Sequence, residues 1–149
     1  MQSSLFHTPI LSGENLLPLI PQRPPIVMVD RFYGITDDLS CTALTINSSN
    51  LFCENGVFNE SGVTEHIAQS AAVRVGYIYS NKGESIPIGF IGSVDKMKFY
   101  ALAKVGQTLH TIIKVEQEVS DITLISAKVY VEEDLVAEGQ MKIFLKREV

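Results

Sequence analysis

NESGVTEHIAQSAAVRVGYIYSNKG, residues 59–83, is the stretch whose reading decides the fold. It opens like a helix, with Asn59 or Ser61 available as the cap and Glu60 suited to the positive end. Gly83 after Ser-Asn-Lys supplies the stop. Between these signals Val63, Ile67, Ala68, Ala71, Ala72, Val75 and Ile78 leave almost no wide polar face. A helix apolar on most sides is a buried helix, and its alanines let a neighbour approach closely. Yet Glu65, His66 and Gln69 lie within its first turns.

Everything after the helix alternates or runs β-branched. The segments IPIGFIGSVDKMKFYA (86–101), QTLHTIIKVEQEV (107–119), ITLISAKVYVEE (122–133) and LVAEGQMKIFLKR (135–147) read as strands joined at KVG, SD and ED. Short turns between successive strands predict an antiparallel meander. Before the helix, IVMVDRFYGIT (26–36) and LSCTALTI (39–46) predict two strands about a turn at Asp37-Asp38. Residues 47–60 are rich in Asn, Ser and Gly and read as a loop. Residues 1–25 read as an extended or irregular lead-in, with Pro21, Pro24 and Pro25 excluding regular helix. One long apolar helix among some six strands must be wrapped by the sheet. The expectation is α+β, a single hot-dog domain over residues 1–149.

Composition narrows the function. A chain of 149 residues with 46% hydrophobic and 19% charged residues suits one globular domain with a sizeable core. A net charge of −5 without a basic run argues against nucleic acid. No run approaches the roughly 18 apolar residues of a membrane helix, and the start lacks a secretory pattern, so a cytoplasmic protein without a membrane partner is expected. Cys41 and Cys53 form no metal or redox motif. His7, His66 and His110 lack ligand spacing, so neither metal nor cofactor is expected.

Several stretches resemble bacterial 3-hydroxyacyl-acyl-carrier-protein dehydratases, the FabZ/FabA group. LIPQRPPIVMVDRF is similar to their opening Leu-Pro-His-Arg followed by Val-Asp-Arg, and TEHIAQSAA to the Glu-Ala-Met-Ala-Gln of their central helix. IGFIGSVDKMKFYALAKVGQTL and DLVAEGQMKIFL are similar to their later strands. The resemblance runs in order from about Leu19 to the end and looks nearest to the branch serving aryl-polyene or flexirubin synthesis. It implies a homodimer or higher oligomer, or a heteromer with a paralogue, with sites at the subunit interface. There a helix carboxylate of one subunit and a loop histidine of the other remove water from a 3-hydroxyacyl thioester carried by acyl carrier protein or CoA.

By position the resemblance carries the carboxylate onto Glu65 and the helix amide onto Gln69. The histidine has no counterpart. Its place falls at Leu51, ahead of Phe52, and no histidine lies between His7 and His66.

Each candidate has a structural alternative. A carboxylate buried without a partner costs several kcal/mol, so Glu65 is either kept for chemistry or is an exposed first-turn acid. His66 points about 100° away from Glu65, so it either reaches an opposite site across an interface or is a hydrogen-bonded core histidine. Gln69 either orients Glu65 or a loop carbonyl, or bridges helix and sheet. Gly62 either offers a free N–H to a thioester oxygen or allows close packing. Cys53 has no evident base and reads as an inert thiol. His110 falls in a strand and reads as surface or edge. Arg23, Asp30 and Arg31 read as structural pairing, and Lys96, Lys98, Lys104 and Arg74 as either a basic rim for an acidic carrier protein or scattered surface charge. Three functions fit: a dehydratase using Glu65 with an unusual partner or alone, a hot-dog thioesterase using Glu65, and a non-catalytic subunit of an active paralogue.

Overall fold

The computed structural model describes residues 3–146. Helix α1 runs Glu60–Asn81. Asn59 is the cap: its backbone is extended and its side chain accepts a hydrogen bond from Gly62 N–H at 2.9 Å. Gly83 stops the helix in the left-handed conformation, φ +69°, where a residue with Cβ is strained.

Seven strands form one antiparallel sheet about this helix: β1 (Leu11–Ser12), β2 (Arg31–Thr36), β3 (Leu39–Thr45), β6 (Ile88–Phe99), β7 (Thr108–Val119), β8 (Ile122–Val131) and β9 (Asp134–Lys146). A two-strand ribbon, β4 (Cys53–Glu54) and β5 (Val57–Phe58), stands apart. This is the hot-dog arrangement expected from the sequence. The expected last strand reaches Arg147, which lies outside the described residues.

Three details differ from expectation. First, the order is β1-β2-β3-β7-β8-β9-β6, so β6 pairs with β9 at the far edge and only β7, β8 and β9 form a meander. The helix is the cause. Its 22 residues span about 33 Å, and they carry the chain from β3 across the sheet before β6 begins. The return to β7 crosses under the ribbon, with Phe58 N–H bonded to Ala103 O.

Second, the strand expected from Ile26 begins only at Arg31. The backbone of residues 26–28 bonds to helix side chains, as described below. Third, the loop at 47–60 contains the ribbon, turned by Asn55 (φ +53°) and Gly56 (φ +78°). Asn-Gly with both φ positive is a tight hairpin turn, so the signal was present in the sequence. Within the lead-in, 3-10 turns at Ser3–Leu5 and Gly13–Leu19 flank β1.

Two packed groups bury the helix. Val63, Ile67 and Ala71 face the sheet and meet Ile113, Ile125, Val129 and Met141. Val73, on another side, packs with Leu16, Leu19, Ile20 and Phe32 of the lead-in and β2. Gly76 permits that second contact. A Cβ there would lie 2.8 Å from the Leu19 carbonyl carbon and nearer still to its oxygen. Among the described residues no helix is long and apolar enough to cross a membrane.

Candidate active site

A cavity of about 450 Å³ opens between α1, the lead-in and the β6–β9 edge. The helix lines it with Glu65, Ala68, Ala72 and Val75, residues three or four apart on one face. Leu19, Ile20, Pro21 and Gln22 close one side, and Ile88, Ile91, Ile143 and Leu145 close the other. Glu65 and Gln22 bring the polar side chains to an otherwise aliphatic wall. Glu65 is half-buried, so it is neither the enclosed carboxylate nor the fully exposed first-turn acid considered from sequence.

His66 turns away from this cavity and has no exposed surface. Its Nδ1 lies 2.6 Å from the Met28 carbonyl oxygen and its Nε2 lies 2.7 Å from the Thr111 hydroxyl. A carbonyl only accepts, so Nδ1 carries the proton and Nε2 accepts from Thr111. Burial pushes the pKa of the ring down to about 4 against the smaller raising effects of the Met28 bond and Asp30. The ring is a neutral core bridge with both nitrogens bonded. It does not reach the Glu65 cavity.

Gln69 is likewise fully buried. Its Oε1 accepts from Met28 N–H at 2.6 Å and its Nε2 donates to Ile26 O at 2.9 Å. Together the two side chains bond both polar groups of Met28. That is why residues 26–28 need no strand partner. Gln69 therefore does not orient Glu65, although four residues separate them on the helix.

Gly62 offers no free N–H, because Asn59 Oδ1 takes it. The position is a close-packing one instead. A Cβ would lie 2.6 Å from the Phe58 ring and 2.7 Å from Phe52 Cβ.

The remaining candidates separate. Leu51, where the resemblance calls for a histidine, is 56% exposed in the turn before β4. Cys53 lies in β4 with its thiol 3.5 Å from Asn47 O, and burial raises its pKa. Buried Cys41 is pushed up to about 12 by the same cause. His110 sits in β7 with its ring 4.9 Å from that of Phe6. Asp30 pairs with Arg31 at 2.9 Å and also accepts from Thr45 N–H. Arg23 donates to the Ile20 and Gln22 carbonyls.

The four basic residues do not form one rim. Lys96 and Lys98 line a shallow depression with Lys128, Lys104 lies beside the ribbon, and half-buried Arg74 feels Glu118 of β7. Sequence reasoning missed Gln22 and Gly76. Gln22 was hidden in a proline-rich lead-in, while Gly76 sat on the helix without a visible partner.

Comparison with known proteins agrees with this geometry. Residues 14–149 match the ApeP-like family, described as ApeP dehydratase. The 3-hydroxyacyl-[acyl-carrier-protein] dehydratase FabZ of Rickettsia typhi is 28% identical over 144 residues, covering 92% of this chain and 97% of the relative. FabZ of Oceanobacillus iheyensis is 32% identical over 112 residues, covering 71% and 78%. Among solved structures, the dehydratase heterocomplex ApeI:P from Xenorhabdus doucetiae aligns with a TM-score of 0.83 at 12% identity, covering 95% of this chain and 93% of that one. The match from residue 14 to the last residue shows that the chain belongs to the ApeP-like dehydratase family.

Proposed function

We propose that this protein supplies the carboxylate for dehydration of a 3-hydroxyacyl thioester borne by acyl carrier protein, as part of an oligomer in the cytoplasm. The observation that carries the reading is Glu65 on the wall of a largely aliphatic cavity of about 450 Å³, a volume in the range of small-molecule sites. In the reaction a carboxylate takes the C2 proton, the C2–H electron pair becomes the C2=C3 bond, and the C3 oxygen leaves as water once protonated. Glu65 is the group of this chain that performs the proton transfers. No metal or other cofactor is required for these steps.

The heteromeric form of the reading has particular support. Leu51 stands where a loop histidine would be, while Glu65 is kept. The ApeI:P structure is a dehydratase heterocomplex, and its fold matches this one. A histidine-bearing paralogue would therefore complete the site around Glu65. The β6 edge supports assembly of this kind: Ile88, Phe90, Ile91 and Val94 are 43–52% exposed on a 12-residue strand paired on one side. A long apolar edge invites a partner chain.

The test is mass spectrometry of 3-hydroxyacyl-carrier protein incubated with this chain alone and with a co-expressed paralogue. Each is run beside Glu65→Gln. Loss of water that needs Glu65 supports the reading, and activity confined to the mixture assigns the heteromer. Release of free acid and thiol instead would assign the thioesterase alternative. Dehydration by the mixture that survives Glu65→Gln would make this chain a non-catalytic subunit.

A further inference from the structure

The cavity holds a second polar group whose environment calls for a ligand. Gln22 lies on the wall beside Pro21, and its Oε1 is buried without a hydrogen-bond partner among the described residues. A buried amide oxygen left unpaired is costly, so a protein that keeps one on a cavity wall gains when a donor arrives. Rotation about the terminal side-chain bond is soft and turns the oxygen between wall and cavity.

The backbone that presents Gln22 is held in place. Arg23 donates through one guanidinium nitrogen to the carbonyls of Ile20 (2.8 Å) and Gln22 (2.7 Å), tying the turn together. Pro21 restricts the residue before it, and Leu19 is seated on α1 at Gly76. The amide therefore stands on a fixed segment of the same cavity that Glu65 lines.

An amide oxygen only accepts, and apart from Glu65 the rest of the wall is aliphatic. The occupant must bring a donor, and a saturated or 2-enoyl chain has none in its acyl part. A 3-hydroxyacyl chain has one, on C3. We infer that Gln22 is a specificity-determining residue that accepts a hydrogen bond from the 3-hydroxyl group of the bound acyl thioester, favouring the 3-hydroxy substrate over its dehydrated product. This inference rests on the reading of the cavity as the acyl site.

The experiment measures binding by calorimetry in a Glu65→Gln background, which keeps the ligand unreacted. The full chain is used, alone and with its paralogue. The probes are 3-hydroxyoctanoyl- and octanoyl-pantetheine, which share the pantetheine arm and differ only at C3. The 3-hydroxy ligand should bind about tenfold tighter, and Gln22→Met should erase that preference while leaving octanoyl affinity unchanged. Gln22→His, which retains an acceptor, should keep most of the preference and guards against a folding defect in the methionine variant. A preference that survives Gln22→Met overturns the inference. So does an equal loss for both ligands, which would assign the amide to a pantetheine N–H. Failure of either ligand to bind with Gln22 intact overturns instead the underlying reading of the cavity as an acyl site.

Discussion

Acidification should weaken this protein through His66, and by an amount the structure specifies. The ring is enclosed, neutral and bonded on both sides, with its pKa pushed down to about 4 by desolvation. In the unfolded chain it returns to about 6.5. The unfolded state therefore binds a proton that the native state refuses. The stability contributed is fully present above about pH 6.5 and is lost as the pH falls towards 4. Between about pH 7.5 and pH 5 this one group removes about 2 kcal/mol, a large part of a typical domain's margin. His110, whose pKa burial also lowers, acts in the same direction, so the total slope does not isolate His66. The comparison with His66→Gln does. That variant loses stability at both pH values through altered bonding, yet it has nothing at position 66 left to titrate. Urea unfolding at fixed protein concentration should show the wild type losing about 2 kcal/mol more than the variant between the two pH values. Equal losses would refute the reasoning, because His66 would then carry a similar proton affinity folded and unfolded.

Other perturbations test the supports of the site. Gly76→Ala should destabilise by about 1–2 kcal/mol despite the helix propensity that alanine adds, because its Cβ would strike the Leu19 backbone. In a melting scan that is a fall of about 2–8 °C, and an unchanged or higher Tm would remove the contact from the account. Gln69→Leu should cost about 2–5 kcal/mol in urea unfolding, since it strands Met28 N–H and Ile26 C=O. Thr111→Val should cost about 1–3 kcal/mol by leaving His66 Nε2 without its donor, with stability near that of wild type as the contrary result. A native thiol titration at neutral pH should modify Cys53 and spare Cys41, and denaturation should release the second thiol.

Much of this molecule was readable along the chain because the governing physics is local. Asn59 caps α1 through a bond three residues long, and Gly83 ends it through its own φ. The alternating runs after residue 86 announce strands because side chains in a strand alternate wherever one face is buried. Glu65 was legible as the candidate acid by position on a family-like helix, and it does line the cavity.

What the tertiary structure alone decided concerns direction and partner. A helix apolar on nearly every side carries no periodic signal of which face meets the sheet, the lead-in or the cavity. Hence Glu65 lines the cavity while His66 and Gln69, its neighbours in sequence, bond Met28, a division that only the docked segments reveal. Residues 26–28 look like part of a strand because their composition is right for one. The hydrogen bonds that replace the expected ladder come from helix side chains some forty residues away, and no local preference can register them. The placement of β6 beyond β9 has the same origin, since the chain's path across the helix sets the strand order. Gln22 became visible only when the lead-in folded over Gly76 and set an unpaired amide oxygen in the wall of the cavity that Glu65 lines. Sequence specified the elements through short-range sterics and capping. Their faces and partners follow from packing between segments far apart in the chain.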